Sequence, residues 1–68
     1  MAWLDLNAMP WAHVRIDGQD RGDTPILDLE LPAGPHRIEL FNEPLGVRRE
    51  LVVELHPGEH ARRTETLR

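Results

Sequence analysis

The sequence predicts a small all-β fold, an antiparallel β-sandwich of six to seven short, hairpin-rich strands. Three observations carry that expectation. Apolar residues alternate by twos in segment after segment, and no stretch repeats them at helical spacing over two or more turns. Turn signals interrupt the alternation about every 8–12 residues, the rhythm of a sandwich or small open barrel.

The elements follow in order. Residues 3–7 set Leu4 and Leu6 on one side, and Ala8-Met9-Pro10 interrupts them. Residues 11–17 alternate cleanly, with Ala12, Val14 and Ile16 inward and His13, Arg15 and Asp17 outward. Asp17-Gly18 is a hairpin signal, because glycine takes the positive φ such turns demand, and residues 19–21 form a short extended return. After Gly22-Asp23-Thr24-Pro25, residues 26–31 place Leu27, Leu29 and Leu31 on one face and Asp28 and Glu30 on the other.

Pro32-Ala33-Gly34-Pro35 is a turn by composition, since proline sets one φ and glycine frees another. Residues 36–41 then turn Ile38 and Leu40 inward, and residues 42–46 are the next loop. Residues 48–55 point Leu51, Val53 and Leu55 inward and leave Val52 as the one apolar residue on the outer face. His56-Pro57-Gly58-Glu59 is read as a hairpin turn onto a last strand, residues 60–67. Only Ala61 and Leu67 are apolar there, so that strand is expected at a sheet edge, where charge discourages pairing with other chains.

Sixty-eight residues make one domain near the lower limit for folding without staples, burying about 60% of the surface the unfolded chain exposes. With no cysteine, neither disulfides nor a thiolate zinc site can help, and the redox compartment stays open. Twelve Asp and Glu against eight Arg argue against a nucleic-acid partner, which selects a basic face. No apolar stretch is long enough for direct membrane insertion. Met1-Ala2-Trp3-Leu4-Asp5 is unlike a signal peptide, so the expectation is a piece excised from a larger protein. Ser, Lys, Cys and Tyr are all absent, which removes most covalent nucleophiles and the Schiff-base amine. Arg as the only basic type, with frequent Ala, Pro, Gly, Leu and Val, matches GC-rich coding and a bacterial source.

The strings Pro-Trp-Ala-His-Val-Arg-Ile-Asp-Gly from Pro10, Gly22-Asp23-Thr24-Pro25, and Leu-Pro-Ala-Gly-Pro-His-Arg-Ile-Glu-Leu from Leu31 occur in that order. With a closing turn on Pro57-Gly58, the chain resembles a PEGA domain over residues 4–67. Pro32-Ala33-Gly34 stands where the family carries its Pro-Glu-Gly-Ala-type signature, a departure that touches the label little. The resemblance implies a small β-sandwich appended to larger bacterial surface proteins or membrane-anchored Ser/Thr kinases, on the extracytoplasmic or cell-envelope side. It implies no catalytic residue and no ligand, so no functional residue carries over.

The functional expectation is a non-catalytic interaction or spacer module, with no catalytic residue, cofactor or metal site. Its partner would be a protein or a neighbouring domain of the same polypeptide, met by strand addition at an open edge or through a Trp-bearing face. The rival readings are an envelope-polysaccharide binder and the sensor ectodomain of a Ser/Thr kinase. The candidate contact surface is Trp3, Trp11, Arg48 and Arg62.

Other clusters have plainer accounts. His56 and His60 flank a turn with too few converging ligands for zinc, and His13 and His36 are distant in sequence. Arg21-Gly22-Asp23 spells an adhesion tripeptide but is ordinary turn chemistry. Arg48-Arg49 and Arg62-Arg63, on the two strands of the last hairpin with Arg37 nearby, are expected to form cross-strand ion pairs with interleaved Glu50, Glu54, Glu59 and Glu65. Asp17 with Asp20, or Asp28 with Glu30, are carboxylate pairs better explained as the wet face of a sheet than as acid–base catalysts.

Overall fold

The computed structural model describes residues 1–67. Seven strands form two sheets: β1 (Ala2–Met9), β2 (His13–Ile16), β3 (Gln19–Asp23), β4 (Ile26–Leu31), β5 (Gly34–Asn42), β6 (Val47–Leu55) and β7 (His60–Thr66). One sheet has the order β4-β1-β7 and the other β3-β2-β5-β6. Their inner faces enclose a core of Leu4, Leu6, Val14, Ile16, Leu31, Ile38, Leu40, Val53, Leu55 and Leu67, with small Ala2, Ala8, Ala12 and Ala61 between them. The all-β sandwich that alternation predicts is the fold the chain adopts. The inward set of β2, β5 and β6 is the expected one, and Val52 is 67% exposed on the outer face.

Asp17 and Gly18 both take positive φ, 51° and 81°, between paired Ile16 and Gln19. That is the two-residue type I′ geometry whose twist matches the flanking strands. Beyond it, Gly22 at φ 85° takes up a register shift between Val14 and Arg15, leaving Arg21 unopposed in β3. Residues three apart on a regular strand point to opposite faces, whereas this bulge puts Asp20 and Asp23 on the same side.

Two expectations are corrected. The first is the face of β4. Leu4 pairs with Leu29 and Leu6 with Ile26, so Leu27 and Asp28 together oppose Asp5 in a bulge. Asp28 adopts φ 54°, a left-handed conformation that Asp tolerates, and donates its backbone N–H to Asp5 Oδ1 at 2.8 Å. The phase flips there. Ile26 turns to the core beside Leu29 and Leu31, while Leu27 lies 69% exposed.

The second correction is the last hairpin. β6 and β7 belong to different sheets, and β7 pairs in parallel with β1, Leu4 opposite Ala61. The turn at Pro57-Gly58 is caught by the start of the chain: Gly58 donates N–H to the Met1 carbonyl and Trp3 donates to the Glu59 carbonyl. β1 lines the core and has only β4 on its other side, so without β7 a ladder of backbone groups would lack partners. β7 is nonetheless the edge strand its charge predicts.

Candidate functional site

Residues 11–13 leave β1 and enter β2 under tight backbone control. The Trp11 carbonyl accepts from Asn42 Nδ2 at 2.8 Å, and Ala12 exchanges two bonds with Thr24, N–H to Oγ1 at 3.0 Å and carbonyl from N–H at 2.8 Å. The Trp11 side chain therefore stands, 47% exposed, above the outer face of the four-stranded sheet. An open groove of about 580 Å³ runs there, lined by Trp11, His13, Arg15, Phe41 and Pro44, with carboxylates from Asp23 and Glu43. A second depression beside it carries Phe41 on to Val47 and Arg48 at the start of β6.

Alternation explains the floor. Phe41 sits across from His13 and Arg48, all three in the outward phase. The guanidinium carbons of Arg15 and Arg48 lie 5.9 and 5.4 Å from the centre of the Phe41 ring. Both arginines also converge with Arg37 on Glu39, at 3.8, 3.5 and 3.6 Å, and Glu39 is only 8% exposed beneath them. Arg37 and Arg48 reach Glu50 as well. The expected cross-strand pairing of a β6–β7 hairpin is replaced by a network centred on Glu39, in which Arg15 and Arg48 reach Glu39 and Arg37 reaches Glu50 across strands, while Arg37–Glu39 and Arg48–Glu50 lie within β5 and β6.

His13 is gripped on both sides, Nδ1 at 2.8 Å from Asp23 Oδ1 and Nε2 at 2.7 Å from Asp20 Oδ2. Carboxylates only accept, so two such bonds demand the doubly protonated ring. The bonds from Asp23 and Asp20 raise its pKa above the usual 6.5. NMR titration of His13 should therefore give a midpoint above 6.5, and D20N or D23N should bring it down. A midpoint unmoved by either substitution would show that neither carboxylate holds the ring. The same contact ties the aspartate of Arg21-Gly22-Asp23 into the sheet, while Arg21 reaches Gln19 Oε1 at 3.1 Å.

The four sequence-predicted contact residues separate into two pairs on opposite faces. Trp11 and Arg48 share the groove face. Trp3, half-buried, and Arg62 lie on the outer face of the three-stranded sheet, where Arg62 Nε is 3.6 Å from Asp5 Oδ2. The two indoles therefore cannot stack together on one chain of sugars. On this second face His60 Nε2 lies 3.0 Å from Asp5 Oδ1 and 3.3 Å from Asp28 Oδ1. His60 thus turns to β1 and β4 rather than to His56 across a turn.

His36 is the second histidine of consequence. It shares the phase of Ile38 and Leu40 and is 7% exposed. Its Nδ1 bonds Asp17 Oδ2, and its Nε2 donates to the Pro32 carbonyl at 2.7 Å. Asp17 Oδ1 accepts from the Arg37 N–H at 2.9 Å. Strand alternation already places His36 inward, and a buried imidazole needs partners. That signal was available in the sequence, but Asp17 as the partner was not. Of the carboxylate pairs read as the wet face of a sheet, Asp17 is held by His36 and Asp20 by His13. Among the described residues every buried side-chain nitrogen and oxygen has a hydrogen-bond partner.

No family model matches the chain, and neither a curated protein nor a solved structure matches it.

Proposed function

We propose that this chain is a non-catalytic interaction module that binds an extended segment of a protein partner in the Trp11–Phe41 groove. The exposed indole of Trp11, held by its own backbone over an aromatic floor, carries the reading. A rigid aromatic in a shallow groove suits a peptide anchor, and Trp is enriched among residues that dominate binding energy. The groove continues toward β6, a nine-residue strand that, among the described residues, lies at the sheet edge beside β5, so a bound segment adds to the sheet there. The His13 imidazole and the Asp23 carboxylate at the groove are tied in an ion pair that fixes shape, which favours recognition over proton transfer. The PEGA resemblance supports an accessory domain of a larger bacterial surface or membrane-anchored protein.

The test is a displayed peptide library panned against the protein, in parallel with sedimentation on isolated cell-wall sacculi. Trp11→Ala is expected to weaken a selected peptide by about 2 kcal/mol, roughly thirtyfold, while Trp3→Ala leaves it unchanged. Sedimentation on sacculi that is lost in Trp11→Ala, without peptide selection, would replace this reading with the polysaccharide one.

A further inference from the structure

We propose that Asp5, Asp28 and His60 form a divalent-cation site on the outer face of the three-stranded sheet, with zinc the ion that suits them best. Each ligand comes from a different strand, β1, β4 and β7, so the hydrogen-bonded ladder sets their spacing. One atom from each converges: Asp5 Oδ1, Asp28 Oδ1 and His60 Nε2 all lie within 4.8 Å of one another. The imidazole nitrogen is 3.0 and 3.3 Å from the two oxygens. Ligand atoms around a tetrahedral zinc with bonds of 2.0–2.1 Å stand roughly 3.3 Å apart, a spacing close to both distances from His60 Nε2.

Charge points the same way. Asp5 and Asp28 face each other across neighbouring strands, and like charges so placed repel. The Nε2 atom carries at most one proton for two carboxylates, whereas a cation bound by neutral Nε2 satisfies all three donors at once. Asp5 is prepared for the role. The Asp28 N–H holds its Oδ1, and Arg62 lies beside its Oδ2, the outer support that ligating carboxylates commonly have. One imidazole with two carboxylates favours zinc over calcium or magnesium, which prefer oxygen donors alone. Three protein ligands leave the fourth tetrahedral position to water.

The test is a titration of zinc chloride into the natural protein, read on the histidine ring nitrogens by NMR. Saturable one-to-one binding should shift the His60 ring and leave His13 and His36 in place. His60→Ala and Asp28→Asn should each weaken zinc at least about tenfold, and His56→Ala should not. Asn accepts the left-handed backbone at position 28, so Asp28→Asn keeps the bulge, and thermal unfolding without zinc checks that it does. Two outcomes overturn the site: no shift of His60 at millimolar zinc, or binding lost in His56→Ala and retained in Asp28→Asn. The second would place the ion on the Pro57-Gly58 turn.

Discussion

Replacing His36 with alanine is expected to lower the unfolding free energy by about 3 kcal/mol near pH 5.5, the lost hydrogen bonds and the cavity together. A domain of this size holds roughly 3–10 kcal/mol in all, so the loss consumes a large share. In a thermal melt it corresponds to a fall of about 12–24 °C. His36 is buried where the β2–β3 turn, the Pro32 turn and the start of β5 meet, and it ties the first two together. Burial alone would lower its pKa, but the Pro32 carbonyl and the Asp17 carboxylate outweigh it and raise the value above 6.5. The His36 bond, helped by the Arg37 N–H, holds the Asp17 carboxyl below its usual 3.8.

The pH dependence follows from these two directions. A raised histidine contributes stability that is complete below pH 6.5 and fades as pH climbs through the folded value. A lowered aspartate contributes stability that is complete above pH 3.8 and fades as pH falls through its folded value. The pair is therefore most stabilising between those two reference values. Asp17→Asn keeps the turn, since Asn-Gly is as good a type I′ turn as Asp-Gly, and removes the charge together with one of the two acceptor oxygens that His36 and the Arg37 N–H share. It should melt earlier than the parent near pH 5.5, with a smaller difference near pH 8.5. Parallel stability curves for the parent and both variants would eliminate the ion pair as the cause.

Alternation by twos reports which face a residue occupies, and it does so well wherever the strand is regular. Val14 and Ile16, Ile38 and Leu40, and Val53 and Leu55 are buried as their phase requires. Alternation carries no information about which strand lies alongside. Ala61 and Leu67 are inward whether β7 pairs with β6 or with β1, so the sheet change at Pro57-Gly58 was not legible. The same gap hid the sites. Asp5 and His60 are 55 positions apart, and only the parallel pairing of first and last strands brings them together. Trp3 and Trp11 look like one aromatic cluster in sequence, yet the chain changes sheet between them, from β1 to β2. Bulges erase a different kind of information. One extra residue at Arg21 puts Asp20 and Asp23 on one face of β3, where they hold His13 between them, and one at Asp28 reverses the phase of β4.

That reversal gives the other large expected effect. Leu27 and Leu31 share a face in a regular strand, so the sequence treats them as equivalent. In the fold Leu31 is 3% exposed within the core and Leu27 is 69% exposed. Leu31→Ala should destabilise the protein by about 3 kcal/mol, the transfer energy of the lost carbons plus the cavity they leave. Leu27→Ala should fall within about 0.5 kcal/mol of the parent, as surface substitutions do. Urea denaturation of the two variants measures the difference directly, with the midpoint shifting at constant slope. A regular strand with Leu27 in the core would instead give two large and similar losses. Equal losses would refute the bulge and, with it, the placement of Asp28 beside Asp5 and His60.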